Sequence, residues 1–146
     1  MKQTVQNDAL APLIQEKLRM GSEVSFTVVG ESMRPFFVDK ETVVTLKQFP
    51  SYKRGDICLA MSSHQKLILH RIIKIRGTEV ILRGDALKTK EVLVRDAVLG
   101  KVIRYQTNQK TVETNSHHFR FHSFLWSLCY PVKRYVLAII RRVGRR

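Results

Sequence analysis

Residues 117 to 146 contain no aspartate and no glutamate. They hold seven Lys and Arg, while the first 116 residues hold the other 19 against all 12 acids. The net charge of +14 is therefore shared equally between the two parts, and the tail is about four times denser in positive charge. Such a tail favours anionic partners, either lipid headgroups or nucleic acid. Cysteine is scarce. Cys58 and Cys129 lie far apart and lack metal-ligand spacing, which argues against a disulfide framework and for two small thiols in a reducing compartment. His117, His118 and His122 lie close together, but no cysteine or carboxylate within a few residues completes a ligand set. No metal and no other cofactor is expected. Long apolar runs are also missing. The first 21 residues have no secretory apolar core. The nearest approach to a membrane span, SFLWSLCYPVKRYVLAII, carries Lys133 and Arg134 in its middle. The expected location is cytoplasmic, with the C-terminal segment offering a peripheral membrane contact.

What the chain does have is a clear change of period. Over residues 8 to 20, Leu10, Leu13, Ile14 and Leu18 recur at helical spacing. Asp8 is placed to cap, Pro12 lies near the start and Gly21 is a natural stop. From residue 22 the period becomes two: Val24, Phe26 and Val28 alternate with Glu23, Ser25 and Thr27. Further runs rich in Val and Ile follow in ETVVTLKQF, DICLAM, KLILHRIIKI, TEVILRG and AVLGKVIRY, separated by turn signals such as KRGD and IRGTE. The expected organisation is a helix in 1–21, a mainly β domain of coiled or partly barrel-like sheet in 22–106, and a basic, aromatic segment in 107–146. In that last segment a break is expected at Pro131, followed by a short helix in VKRYVLAIIRRVGRR. That helix either packs on the sheet or lies on a membrane surface.

Three short pieces bring together groups that can do chemistry: GESMRP at 30–35, LHRIIKI at 69–75 and RGDAL at 83–87. Ser32 is a hydroxyl in a stiff loop just after a strand. His70 shares a strand face with Ile68 and Ile72, so burial should lower its pKa and keep the imidazole neutral. A neutral imidazole is what a serine nucleophile needs as general base. Asp85, in the turn after the next strand, is placed to orient that ring. Met33 and Pro35 stiffen the loop, and Gly30 lets another backbone come close.

The G-x-S-M-x-P box, the GDI of Gly55 to Ile57, the HRIIKI strand, the RGD box and the VLGKV of Val98 to Val102 together resemble the S24/S26 serine peptidases. These are the LexA-like self-cleaving repressors and the type I signal peptidases. The resemblance covers about residues 22 to 106. It implies the coiled-sheet fold of that superfamily, Ser32 as nucleophile, His70 as base in the histidine subtype, and Asp85 as its assistant. It also implies a peptide or protein substrate cut after small residues, as in leader-peptide removal. The chain departs from the pattern in three places. Gly30 stands where many signal peptidases carry a hydroxyl residue at the oxyanion site, so backbone amides of Ser32 and its neighbours would serve there. The G-D-N box reads GDA, and no membrane anchor precedes the serine. Lys66 and Lys74, counted by period two onto the face of His70, are alternative bases. Two other functions compete. A self-cleaving regulator is disfavoured by the absence of Ala-Gly and Cys-Gly dipeptides and of a helix-turn-helix pattern. A non-catalytic basic binding module on the same fold would use the tail, with a membrane surface favoured over nucleic acid because the strands lack an aromatic stacking stripe.

Overall fold

The computed structural model describes residues 10–128 and 130–144, with the side chains of 118, 127, 128 and 130–134 left aside. The helix expected first is α1 (Ala11–Arg19), with Pro12 in its first turn and Gly21 at φ +81° just beyond its end. Asp8, the expected cap, lies outside the described residues. Ile14 and Leu18 form the buried face of α1 and pack on the sheet.

Eight strands follow: β1 (Val24–Thr27), β2 (Val43–Lys47), β3 (Ile57–Met61), β4 (Leu67–Arg76), β5 (Glu79–Arg83), β6 (Glu91–Val94), β7 (Val98–Thr107) and β8 (Lys110–Glu113). They form one curled sheet in the order β1-β2-β7-β3-β4-β5-β6, with β8 also on β7, and each pair is antiparallel. The mainly β architecture with short helices is thus the observed one. Six strands fall on the expected runs. The other two, β6 and β8, are short and mostly exposed at the surface. The turn into β8 is made by Asn108 and Gln109, both at positive φ, a geometry usually signalled by Asn-Gly and here made without glycine.

The ladder is interrupted by irregularities at Thr45/Leu46, Leu59/Ala60 and Ile72/Lys74. Such bulges bend strands and raise their twist, which lets one sheet curl around two cores. The larger core gathers α1, β1, β2, Leu59 of β3, Val102 and Tyr105 of β7, and Phe37 from the loop after β1. The smaller one gathers Cys58, Ala60, Ile72, Val80, Leu82, Leu93 and Val98. Successive residues of β3 and β4 therefore alternate between two interiors rather than between interior and water.

The C-terminal segment forms α2 (His117–Leu128) and α3 (Tyr130–Val143). Pro131 falls in the first turn of α3, where a missing N–H costs least, so the expected break lies just before it. α2 packs on the domain through Phe119, whose ring lies edge-on to Phe36 and Tyr105, and through Trp126, whose ring meets Phe36. Among the described residues no helix is long and apolar enough to cross a membrane.

Candidate active site

The loop between β1 and β2 is pinned at both ends. Val28 N–H donates to the Thr42 carbonyl at 2.9 Å, and Lys40 N–H donates to Val28 at 2.8 Å. Thr42, fully buried, accepts from Val38 N–H at 2.8 Å through its hydroxyl. Met33 and Phe37 drop from the loop into the larger core and are essentially inaccessible. Met33 also accepts the Asp85 N–H at its Sδ, 3.5 Å away, which joins the loop floor to the turn after β5. Ser32 is held from the same turn: its carbonyl accepts the Ala86 N–H at 2.9 Å. The hydroxyl is thus carried on backbone fixed at two neighbouring points. Among the described residues no backbone partner is seen for the peptide N–H groups of Ser32 and Met33. Gly30 sits at φ +98°, which a side chain would resist, and open space surrounds its α-carbon. Its N–H is engaged by Asp39 Oδ1 at 2.7 Å, so Gly30 shapes the loop and is not itself an oxyanion donor.

Cross-strand register decides which groups meet. His70 lies opposite Cys58 of β3, and Arg71 opposite Ile57. On the other side Arg71 pairs with Arg83, and Ile72 with Leu82. Continued one step past the Arg71–Arg83 pair, beyond the end of β5, this register sets Gly84 level with His70. A Cβ added to Gly84 would stand 2.6 Å from the Ser32 carbonyl oxygen and 3.0 Å from the Ser32 Cβ. The direction in which Gly84 would project a side chain is the face that His70 shares. Ser32 therefore sits over Gly84 on the His70 side of the sheet. Leu82 pairs in turn with Glu91 of β6, which places Glu91 on that same face.

Asp85 belongs to the opposite face. Both its carboxylate oxygens accept from Arg71, Nε to Oδ1 and Nη2 to Oδ2, each at 2.8 Å. Both side chains are almost fully buried. Arg71 is satisfied further by the Gly55 carbonyl at 2.9 Å and by the faces of Phe36 and Phe119, with its guanidinium carbon 5.1 and 5.8 Å from the two ring centres. The Asp85 carbonyl accepts from Trp126 Nε1 at 3.3 Å. The expectation that Asp85 orients His70 is corrected here: it is locked to the neighbouring Arg71, and His70 Nδ1 is buried with no hydrogen-bond partner. The reason is pleat parity, since His70 and Arg71 are consecutive and point to opposite sides.

Lys74 is displaced for a related reason. The extra residue at the Ile72/Lys74 bulge shifts the phase of β4, so Ile75, paired with the buried Val80, continues the face of His70 and Ile72. Lys66 is exposed in the turn before β4 begins. Neither lysine reaches the slot of His70.

Burial is the main influence on His70 and lowers its pKa from 6.5, as its apolar neighbours implied. Two carboxylates oppose that shift, Glu91 first and Asp85 second. Glu91 was not legible as a site residue. It follows a Lys-rich turn and opens a short strand, and only the β4-β5-β6 register brings it onto the His70 face. Among the described residues Ser32 Oγ and His70 form no hydrogen bond to each other, and His70 Nδ1 has no partner. A cavity of about 600 Å³ opens beside Ser25, Lys40 and Asn108, away from this site. No protein-family model matches the chain, and no curated protein matches it.

Proposed function

We propose that the chain is a serine endopeptidase of the S24/S26 type, with Ser32 as nucleophile and His70 as general base. The supporting observation is the placement of Ser32 over Gly84 on the sheet face that carries His70 and Glu91. Oγ of Ser32 attacks the carbonyl carbon of the scissile peptide, and His70 takes the hydroxyl proton. Backbone amides of Ser32 and its neighbours receive the negative charge that develops on the carbonyl oxygen. The C–N bond then breaks, the amine leaves with the proton from His70, and water, deprotonated by the same imidazole, releases the acyl group. Glu91 acts through space by favouring the imidazolium that forms in each half. Asp85 acts one step removed: with Arg71 it fixes the turn whose Ala86 N–H holds the Ser32 carbonyl.

The substrate is a peptide or protein lying extended along the loop, cut after a small residue, as in removal of a leader from a precursor. Its proposed setting is the cytoplasm, with the protein peripheral at the membrane. Profiling of protein N-termini in cells carrying the wild-type chain or Ser32→Ala checks the activity. A small set of precursors should lose processed N-termini in the variant; identical profiles, together with no cleavage of those precursors by purified wild-type protein, would overturn the assignment.

A further inference from the structure

Six of the eleven large apolar side chains exposed among the described residues lie on α2 and α3. On α2 they are Phe121, Phe124 and Leu125, at helical spacing and opposite the face through which Phe119 and Trp126 meet the domain. On α3 they are Tyr135, Ile139 and Val143, each four residues from the next and each more than 60% exposed. Exposed arginines flank these stripes, Arg120 on α2 and Arg142 on α3, while Arg141, also exposed, lies on the other side of α3 toward Glu31. No acid occurs from residue 117 onward.

We infer that the outer faces of α2 and α3 form a docking surface for an anionic lipid bilayer. The combination of chemistries selects the occupant. Phe, Ile, Val and Tyr side chains gain by leaving water for the boundary between acyl chains and headgroups, and arginines beside them gain from anionic headgroups. A nucleic acid would neutralise the arginines but leave the apolar stripes in water. A second copy of this chain on the same face would set Arg120 and Arg142 against another molecule of net charge +14. Arg141 Nη2 also lies 3.7 Å from Glu31 Oε2, so α3 passes close to the residue next to Ser32. The docking is independent of any chemistry at Ser32.

Flotation with vesicles of phosphatidylcholine and phosphatidylglycerol, against vesicles of phosphatidylcholine alone, tests the surface with the full chain. Wild-type protein should float with the anionic vesicles and much less with the neutral ones. Added salt should weaken the binding without abolishing it. The double variant Phe121→Glu/Ile139→Glu should lose binding while keeping the wild-type circular dichroism, because both positions face solvent. Arg142→Gln, which disturbs no packing, should lower the partition coefficient about fivefold. Wild-type protein left unbound by anionic vesicles overturns the inference, as does unchanged flotation of both variants. Salt-sensitive binding to duplex DNA that the double variant retains, without vesicle binding, would assign the surface to nucleic acid instead. Ser32→Ala protein should float as the wild type does, which separates this outcome from the fate of the peptidase proposal.

Discussion

The two faces of β4 treat neighbouring ionisable residues in opposite ways. On one, Arg71 is buried but fully answered: two bonds to Asp85, one to the Gly55 carbonyl and two aromatic faces. On the other, His70 is buried beside Cys58 with an unpartnered Nδ1, and the nearest help from Glu91 is charge alone. A saturated buried pair is built for rigidity, because any change leaves an uncompensated charge. The buried imidazole keeps a spare ring nitrogen, which the proposed mechanism uses for proton transfer. The lesson is that the aspartate expected to serve chemistry serves architecture, and the site borrows that rigidity through the turn at 84–87.

Four variants sharpen this contrast. The largest effect belongs to the architectural face. Asp85→Asn strands Arg71 in the interior and should cost about 3–5 kcal/mol, read as a lower denaturant midpoint. Replacing both partners, as Arg71→Met/Asp85→Leu, should cost less than Asp85→Asn alone; equal or greater loss would deny the pair its isolation from the other face.

Gly84→Ala comes next and strikes the join between the faces. Its new methyl would meet the Ser32 carbonyl at 2.6 Å, closer than packing allows, so Ser32 must move. Overpacking should cost about 1–3 kcal/mol. A displacement of about 1 Å at the nucleophile should cost roughly a hundredfold in turnover. Unchanged kcat on a precursor substrate would show that Ser32 is not positioned through Gly84.

Glu91→Gln should have the smallest effect on the fold and a specific one on pH dependence. Burial holds the folded His70 pKa below 6.5, so the unfolded chain takes up its proton first as pH falls. Stability is therefore steady above the ordinary imidazole range and declines between that value and the lowered folded one. Removing Glu91, which raises the His70 pKa, should lower it further. The acid limb of kcat/KM should move to lower pH, and the acid decline in stability should deepen. NMR titration of the imidazole checks both, and the shift should exceed that in Asp85→Asn, since Glu91 is the stronger of the two influences. A larger shift in Asp85→Asn would return the assisting role to Asp85.

Much of the frame follows from local pattern alone. Alternation in β1 and runs rich in Val and Ile between turn signals marked six of the eight strands, and the period change at residue 22 separated α1 from the sheet. Met33 and Pro35 already marked the Ser32 loop as stiff. Burial of His70, and the direction of its pKa, followed from Ile68 and Ile72. These are short-range facts, because a strand needs only its own residues to show its period. The strands β6 and β8 escaped since their valines face solvent or lie half-covered, and a two-residue turn at Asn108-Gln109 carries no glycine signal.

What the sequence by itself determined was the set of elements and the residues able to do chemistry within each. Tertiary structure alone decided which of those residues share a face. An extra residue at the Ile72/Lys74 bulge turned Lys74 away. Consecutive positions sent His70 and Arg71 to opposite sides, giving Asp85 to the arginine, and the ladder through Leu82 carried Glu91 to the histidine's side. The physical reason is that a side-chain period of two makes every one-residue shift a reversal of face, and register is fixed by partners far along the chain.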